Sequence, residues 1–260
     1  MTPAILLVFA CRRTLMPDVA MPAEDPTDEW AEVLAEVVTQ DGYVDYELLA
    51  ENRDALDRYV VWLSRDDQWV DDKITAHRHG FYLNAFNALV MYSVLENDRP
   101  ASVLDVQGWI PLAGSGFFMT SAFDIELDHL SLQEIRDERI RQFELDYRSH
   151  SAMVFGARGG PPMSPELYGN GALHSQLRTS MKRWVSDPER GVRIVDGVAM
   201  FNPIMDWYRR DFHFFSAGLD LCTIAARHTD GEQASELRAL ADRGCPHGFY
   251  EFDWSLNDAR

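Results

Sequence analysis

Residues 81–95, FYLNAFNALVMYSVL, constrain this chain more than any other stretch. They lie in a helix that the pattern places from about Ile74 to Glu96, with Asn97 to Pro100 as its stop. The stretch is apolar nearly all the way round, so it has no face to offer water and must be covered by the rest of the fold. Covering it takes ample apolar material, and here 46% of 260 residues are hydrophobic and 12% aromatic. A chain of that size buries roughly three quarters of the surface it exposes when unfolded. Intrinsic disorder is excluded for most of it, and the length favours one large domain.

Two amides sit within this apolar helix. Asn84 and Asn87 are three residues apart, and His77 lies two turns before Asn84 on the same face. A buried amide without partners costs about 1–3 kcal/mol per unsatisfied group. Either each amide ties the backbone of a neighbouring loop to the core, or the pair faces a polar site. Both are carried forward as candidate binding residues.

Around this helix the sequence predicts a mixture of elements. Asp25-Pro26 opens a helix whose stripe is Trp30, Val33, Leu34, Val37 and Val38. A second helix, about 47–64, carries Leu49, Leu56, Tyr59, Val60 and Leu63 on one side. Residues 117–119, 123–127 and 152–155 read as strands, and Ser131 to Glu134 is a capping box that opens a helix to about Phe143. Leu173, Leu177, Met181 and Trp184 mark the inner face of another helix. Asp196-Gly197 between two β-rich runs is a strong hairpin signal. Asn202-Pro203 caps a helix through Phe212, and two more helices follow near 219–228 and 231–242, before an extended piece at 249–253. The expected fold is α+β: a single domain over 25–260, with helices packed around a small, mainly antiparallel sheet containing 152–155 and the 192–201 hairpin.

Charge narrows the partners. The chain carries 42 acids against 24 Lys plus Arg, a net charge of −18. Nucleic-acid binding needs clustered cations to neutralise phosphates, and charge-driven attachment to anionic lipid fails for the same reason. Residues 1–24 read as a separate segment, with residues 1–22 expected to pack on nothing. The apolar run Ala4 to Ala10 is far too short to span a bilayer, but it has the minimum length of a signal-peptide core. Cys11 after Ala10 matches a lipoprotein cleavage site, with Cys11 as the lipid-bearing residue. A cell-envelope location follows, lipid-anchored or secreted, and any membrane contact runs through that anchor. If the run is not a signal, the protein is cytoplasmic. Cys222 and Cys245 can pair in an oxidising compartment, although the sequence does not place them in space.

Familiar catalytic motifs are absent: no nucleophile elbow, phosphate loop, HExxH or CxxC. His77-Arg78-His79 and Cys245-Pro246-His247 each offer two metal-type donors where a zinc site draws three or four. No metal and no cofactor are therefore expected. Gly156-Ala157-Arg158-Gly159-Gly160 follows the 152–155 run and is closed by Pro161-Pro162. Open backbone N–H groups beside a guanidinium would hold a carboxylate or phosphate. Arg158 is thus a candidate anion-binding residue, with a structural salt bridge as the competing reading.

Five blocks in order carry a resemblance: WAEVLAEVVTQDGYVDYELL (30–49), FYLNAFNAL (81–89), HSAMVFGARGGPP (150–162), NPIMDWYRRDF (202–212) and EFDWSLND (251–258). Together they resemble domain-of-unknown-function family 547, a family of obscure function whose bacterial members often follow a secretion signal. The family pattern has cysteines where this chain has Phe155 and Gly160, and a Glu-His pair where it has Arg136 and Asp137. Phe155 and Gly160 cannot act as thiol nucleophiles, so the resemblance implies a divergent member. Two functions follow. One is a non-catalytic or catalytically divergent extracytoplasmic domain whose pocket around His150 and Arg158 binds a small anionic ligand or an unknown protein. The other is a hydrolase or transferase working without a thiol, with His150 as general base and Arg158 as anion clamp.

Overall fold

The computed structural model describes residues 12–65, 75–142, 145–169 and 171–260. Strand β1 (Arg13–Thr14) comes first, and Leu15 behind it is buried. The expected loose segment therefore does not extend to residue 22. From Arg12 onward the chain is tied to the domain, through β1 and through a two-pronged Arg12–Glu134 contact. Cys11 and the apolar run before it lie outside the described residues.

Helix α1 (Thr27–Val37) buries Trp30, Leu34 and Val37. The single helix expected at 47–64 is two, α2 (Tyr46–Glu51) and α3 (Arg53–Trp62). The break falls at Asn52, which leaves helical geometry at φ −105°, ψ 24° while its side-chain amide donates to the Leu48 carbonyl. Asp45 starts α2 by accepting from the Glu47 and Leu48 N–H groups. Helix α4 (Thr75–Glu96) is the predicted central helix, and every residue from Ala85 to Leu95 is buried.

The 117–119 run is a π-helical turn, Gly116–Thr120, and not a strand. Strand β2 (Ser121–Ile125) follows it directly and pairs antiparallel with β3 (Asp128–Leu130). The capping box is present: Ser131 and Glu134 exchange side-chain and backbone bonds at the start of α5 (Leu132–Glu134). That helix continues as a π-helical stretch, Ile135–Ile140, and a 3-10 turn covers Tyr147–Ser151. Helix α6 (Leu173–Val185) precedes the hairpin of β4 (Arg193–Val195) and β5 (Val198–Phe201). Asp196 and Gly197 at the hairpin turn both have positive φ, 50° and 75°, the geometry that favours this pair of residues. Helices α7 (Ile204–Trp207), α8 (Arg209–Phe215), α9 (Leu221–Arg227) and α10 (Gly231–Ala241) then lead to β6 (His247–Phe249).

The fold is a single α+β domain, with two small sheets in place of one. Each is an antiparallel hairpin with one parallel strand added: β1 on β2, and β6 on β5. Residues 152–155 belong to neither. Ala152 closes the preceding 3-10 turn in helical geometry (φ −104°, ψ −11°), the whole run is buried, and Asn87 of α4 bonds Ala152 O and Val154 N. One core surrounds α4, and a second gathers β5 and α7 to α10. Helix α6 joins them, giving Leu173 and Leu177 to the first and Met181, Trp184 and Val185 to the second. A disulfide between buried Cys222 and Cys245 ties α9 to the turn before β6.

Candidate functional site

The 3-10 turn at Tyr147–Ser151 places His150 in the interior, at 1% exposure. Its ring lies nearly flat against Tyr208 (4.4 Å between centroids, 28°) and Phe212 (5.3 Å, 26°). Its Nε2 is 2.9 Å from Asp211 Oδ2. Asp211 also accepts from Arg141 (2.6 and 3.1 Å), Arg141 donates onward to Asp137 (2.8 Å), and Arg136 grips Asp137 through two bonds. Burial pushes the Asp211 carboxyl up, but the bonds from His150 and Arg141 outweigh it and hold it at about 2. Burial lowers His150 more than Asp211 raises it, so the imidazole is neutral and donates its Nε2 proton to the carboxylate. Its Nδ1 is buried without a partner. A histidine sealed this way cannot exchange a proton with a bound substrate.

Arg158 lies elsewhere. Its guanidinium donates to the carbonyls of Asp258 (2.5 Å) and Arg260 (3.3 Å) and covers the ring of Tyr43 at 4.6 Å. The backbone N–H groups beside it are used: Arg158 donates to Ser255, Gly159 to Asp253 and Gly160 to Ala157. Gly159 is there for proximity, because a Cβ at that position would come 2.7 Å from the Asp253 nitrogen. Arg158 does line a cleft of about 200 Å³, but Glu189, Glu251 and Asp253 offset its arginines, and His150 is not among the lining residues. The expected pocket at Arg158 is present as this cleft, but the N–H groups of residues 158–160 are occupied and its three arginines face three acids. His150, the base of the hydrolase reading, is buried and paired with Asp211, and it does not share this cleft with Arg158.

The two asparagines are backbone clamps. Asn84 donates to the Tyr168 carbonyl and accepts from the Tyr168 N–H, both at 2.8 Å. Asn87 does the same for Ala152 O (2.8 Å) and Val154 N (3.0 Å). Each amide spends one N–H and its oxygen on the backbone; Asn87 is buried, whereas Asn84 is half-buried and also lines a cavity of about 310 Å³ with His77 and Phe81. Phe155 is buried in the second core against Phe118. Asp220, Cys222 and Cys245 bring ligand-type atoms together, but both sulfurs are committed to the disulfide.

The place where cations gather is a different pocket, of about 620 Å³. Asp146, Tyr147 and Arg148 reach it from the 3-10 turn, His174 and Arg178 from one face of α6, and Arg227 and His228 from the end of α9. Arg148 is satisfied by Asp146 at 2.5 Å. Among the described residues neither Arg178 nor Arg227 makes an ion pair. His228 meets the Tyr147 hydroxyl at 2.9 Å, and burial, helped by the charge of Arg148, lowers it to about 4. With the Arg148–Asp146 pair neutral and His228 uncharged, Arg178 and Arg227 line the cavity without an acid partner among the described residues. No serine, threonine, cysteine or second carboxylate lines it among the described residues. The arrangement can hold an anion. These residues span three separate parts of the chain, and the only local signal was the i, i+4 spacing of His174 and Arg178 on the polar face of α6.

Fold and site together describe an α+β domain with an arginine-lined pocket and a buried histidine. Residues 73–185 match the family described as "Protein of unknown function, DUF547". The resemblance is thereby shown over α4 to α6, while the blocks at 30–49, 202–212 and 251–258 lie outside the matched stretch. No curated protein and no solved structure matches the chain.

Proposed function

We propose that this protein is a non-catalytic binding domain of the extracytoplasmic space that takes a small anion between Arg178 and Arg227. The observation that carries the reading is two guanidiniums on one cavity that have no acid partner among the described residues, in a chain of net charge −18. An anion seated in the cavity is attracted by both charges and can accept hydrogen bonds from both guanidiniums. The Cys222–Cys245 disulfide supports an oxidising compartment, and Cys11 after its apolar run supports lipid attachment there.

Calorimetry with inorganic phosphate, sulfate and citrate tests the pocket. Arg178→Ala and Arg227→Ala should each weaken binding at least about tenfold, and raised salt should weaken it further. Both side chains are exposed, so the melting temperature should hold. Affinity unchanged in both variants would end the reading. Detergent partition of the wild type against Cys11→Ser tests the anchor, and equal partition would remove it.

A further inference from the structure

A run of apolar residues stands exposed close to the point where the described chain begins. The loop Gly108-Trp109-Ile110-Pro111-Leu112-Ala113-Gly114 carries no charge. Trp109 is 58% and Leu112 56% exposed. One exposed leucine is ordinary, but an uncharged tip presenting Trp, Ile, Pro and Leu in sequence is not.

The loop is held in this posture. Ser115 Oγ accepts from the Gly108 N–H (3.1 Å) and donates to the Ile110 carbonyl (2.7 Å). Below it, Gly114 N bonds Leu104 O and Gly116 N bonds Val106 O. The neck tolerates only glycine: a Cβ on Gly108 would meet Thr120 Oγ1 at 2.3 Å, and one on Gly116 the Gln107 carbonyl at 2.4 Å. Trp109 and Ile110 share the wall of a cavity of about 280 Å³ with Arg12, the residue after Cys11. Arg13, next in the chain, is exposed.

We propose that this loop is a membrane-interface contact, with Trp109 and Leu112 seated in the headgroup layer of a bilayer on the face that carries Arg12. The proposal rests on the reading of Cys11 as a lipid attachment, because an anchor one residue before Arg12 would hold the face that Arg12 shares with Trp109 and Ile110 against the bilayer surface. Tryptophan favours the interface, where its ring is part apolar and part hydrogen-bonding. A second copy of the chain fits less well. Trp109 and Leu112 together offer roughly 250 Å², against the ~800 Å² per partner of a stable interface. Two chains of net charge −18 also repel.

The test uses the full chain with Cys11→Ser and phosphatidylcholine vesicles whose acyl chains are brominated, which quench nearby tryptophans. The protein has seven tryptophans, so Trp109→Phe isolates the contribution of this one. The proposal expects quenching that mostly disappears in Trp109→Phe, and vesicle partition about tenfold or more weaker in Trp109→Ser/Leu112→Ser. Quenching that persists in Trp109→Phe would overturn it. So would a concentration-dependent dimer that the double variant abolishes, in a protein that does not partition onto vesicles. The two readings fail separately. Equal partition of wild type and Cys11→Ser, with Trp109 quenching intact, removes the anchor and still supports the loop contact. Cys11-dependent partition without Trp109 quenching overturns the loop contact and keeps the anchor.

Discussion

Replacing Asn87 with alanine removes two hydrogen bonds and leaves their partners behind. The Ala152 carbonyl and the Val154 N–H are backbone groups, so the substitution cannot remove them. Asn87, Ala152 and Val154 are each 3% exposed or less, which denies water access to either group. Each orphaned group costs about 1–3 kcal/mol, so Asn87→Ala should lose about 2–5 kcal/mol of stability. In a domain of this size each kcal/mol moves the melting temperature by about 2–4 °C. Asn84 makes the equivalent pair of bonds to Tyr168, but at a partly exposed position where water can replace the amide. Asn84→Ala should therefore cost less, about 1–2 kcal/mol. Urea unfolding of wild type and both variants, with the disulfide intact, reads the difference from the midpoints. Anion affinity at the cationic pocket should not change in either variant. The clamp argument fails if Asn87→Ala stays within about 0.5 kcal/mol of wild type, or if Asn84→Ala is the more damaging of the two.

Acid should weaken the protein through His228 before it reaches the carboxylates. The folded imidazole titrates at about 4 and the unfolded one at 6.5, so between these values the unfolded chain binds more protons. The stability is complete above pH 6.5 and is lost as pH falls towards 4. Allowing for solvent screening, that loss is about 1–3 kcal/mol. His228→Gln should flatten the stability profile across this window, and an unchanged slope would show that other groups set it. The second expectation concerns the disulfide, which closes a separation of 23 residues. Opening it with reductant, or by Cys222→Ala with Cys245→Ala, should cost about 3 kcal/mol and lower the melting temperature by about 6–12 °C. A thermal scan that is the same with and without the bond would count against its structural role.

Some of this protein is written locally. Helix α4, the hairpin at Asp196-Gly197, the capping box at Ser131 and the inner face of α6 each depend on residues within about one turn or one strand pair. Their periods and turn residues are therefore enough to read them. The central amides also announced a demand, since a buried asparagine must find partners. The sequence could not say who supplies them. The run at 152–155 has a strand's composition, yet Asn87 on a helix occupies its hydrogen bonds and no strand forms. Strands β1 and β6 join their sheets in parallel, across long intervening chain, where no turn signal exists to betray the pairing. His150 and Arg158 stand eight positions apart in the sequence, but one is sealed against Tyr208 and the other reaches the last residues of the chain. Arg148, Arg178 and Arg227 are distant in the sequence and share one cavity. Secondary structure follows from neighbours along the chain. Which charges remain unpaired, and which cavity they face, follows from neighbours in space, and only the tertiary packing brings those together.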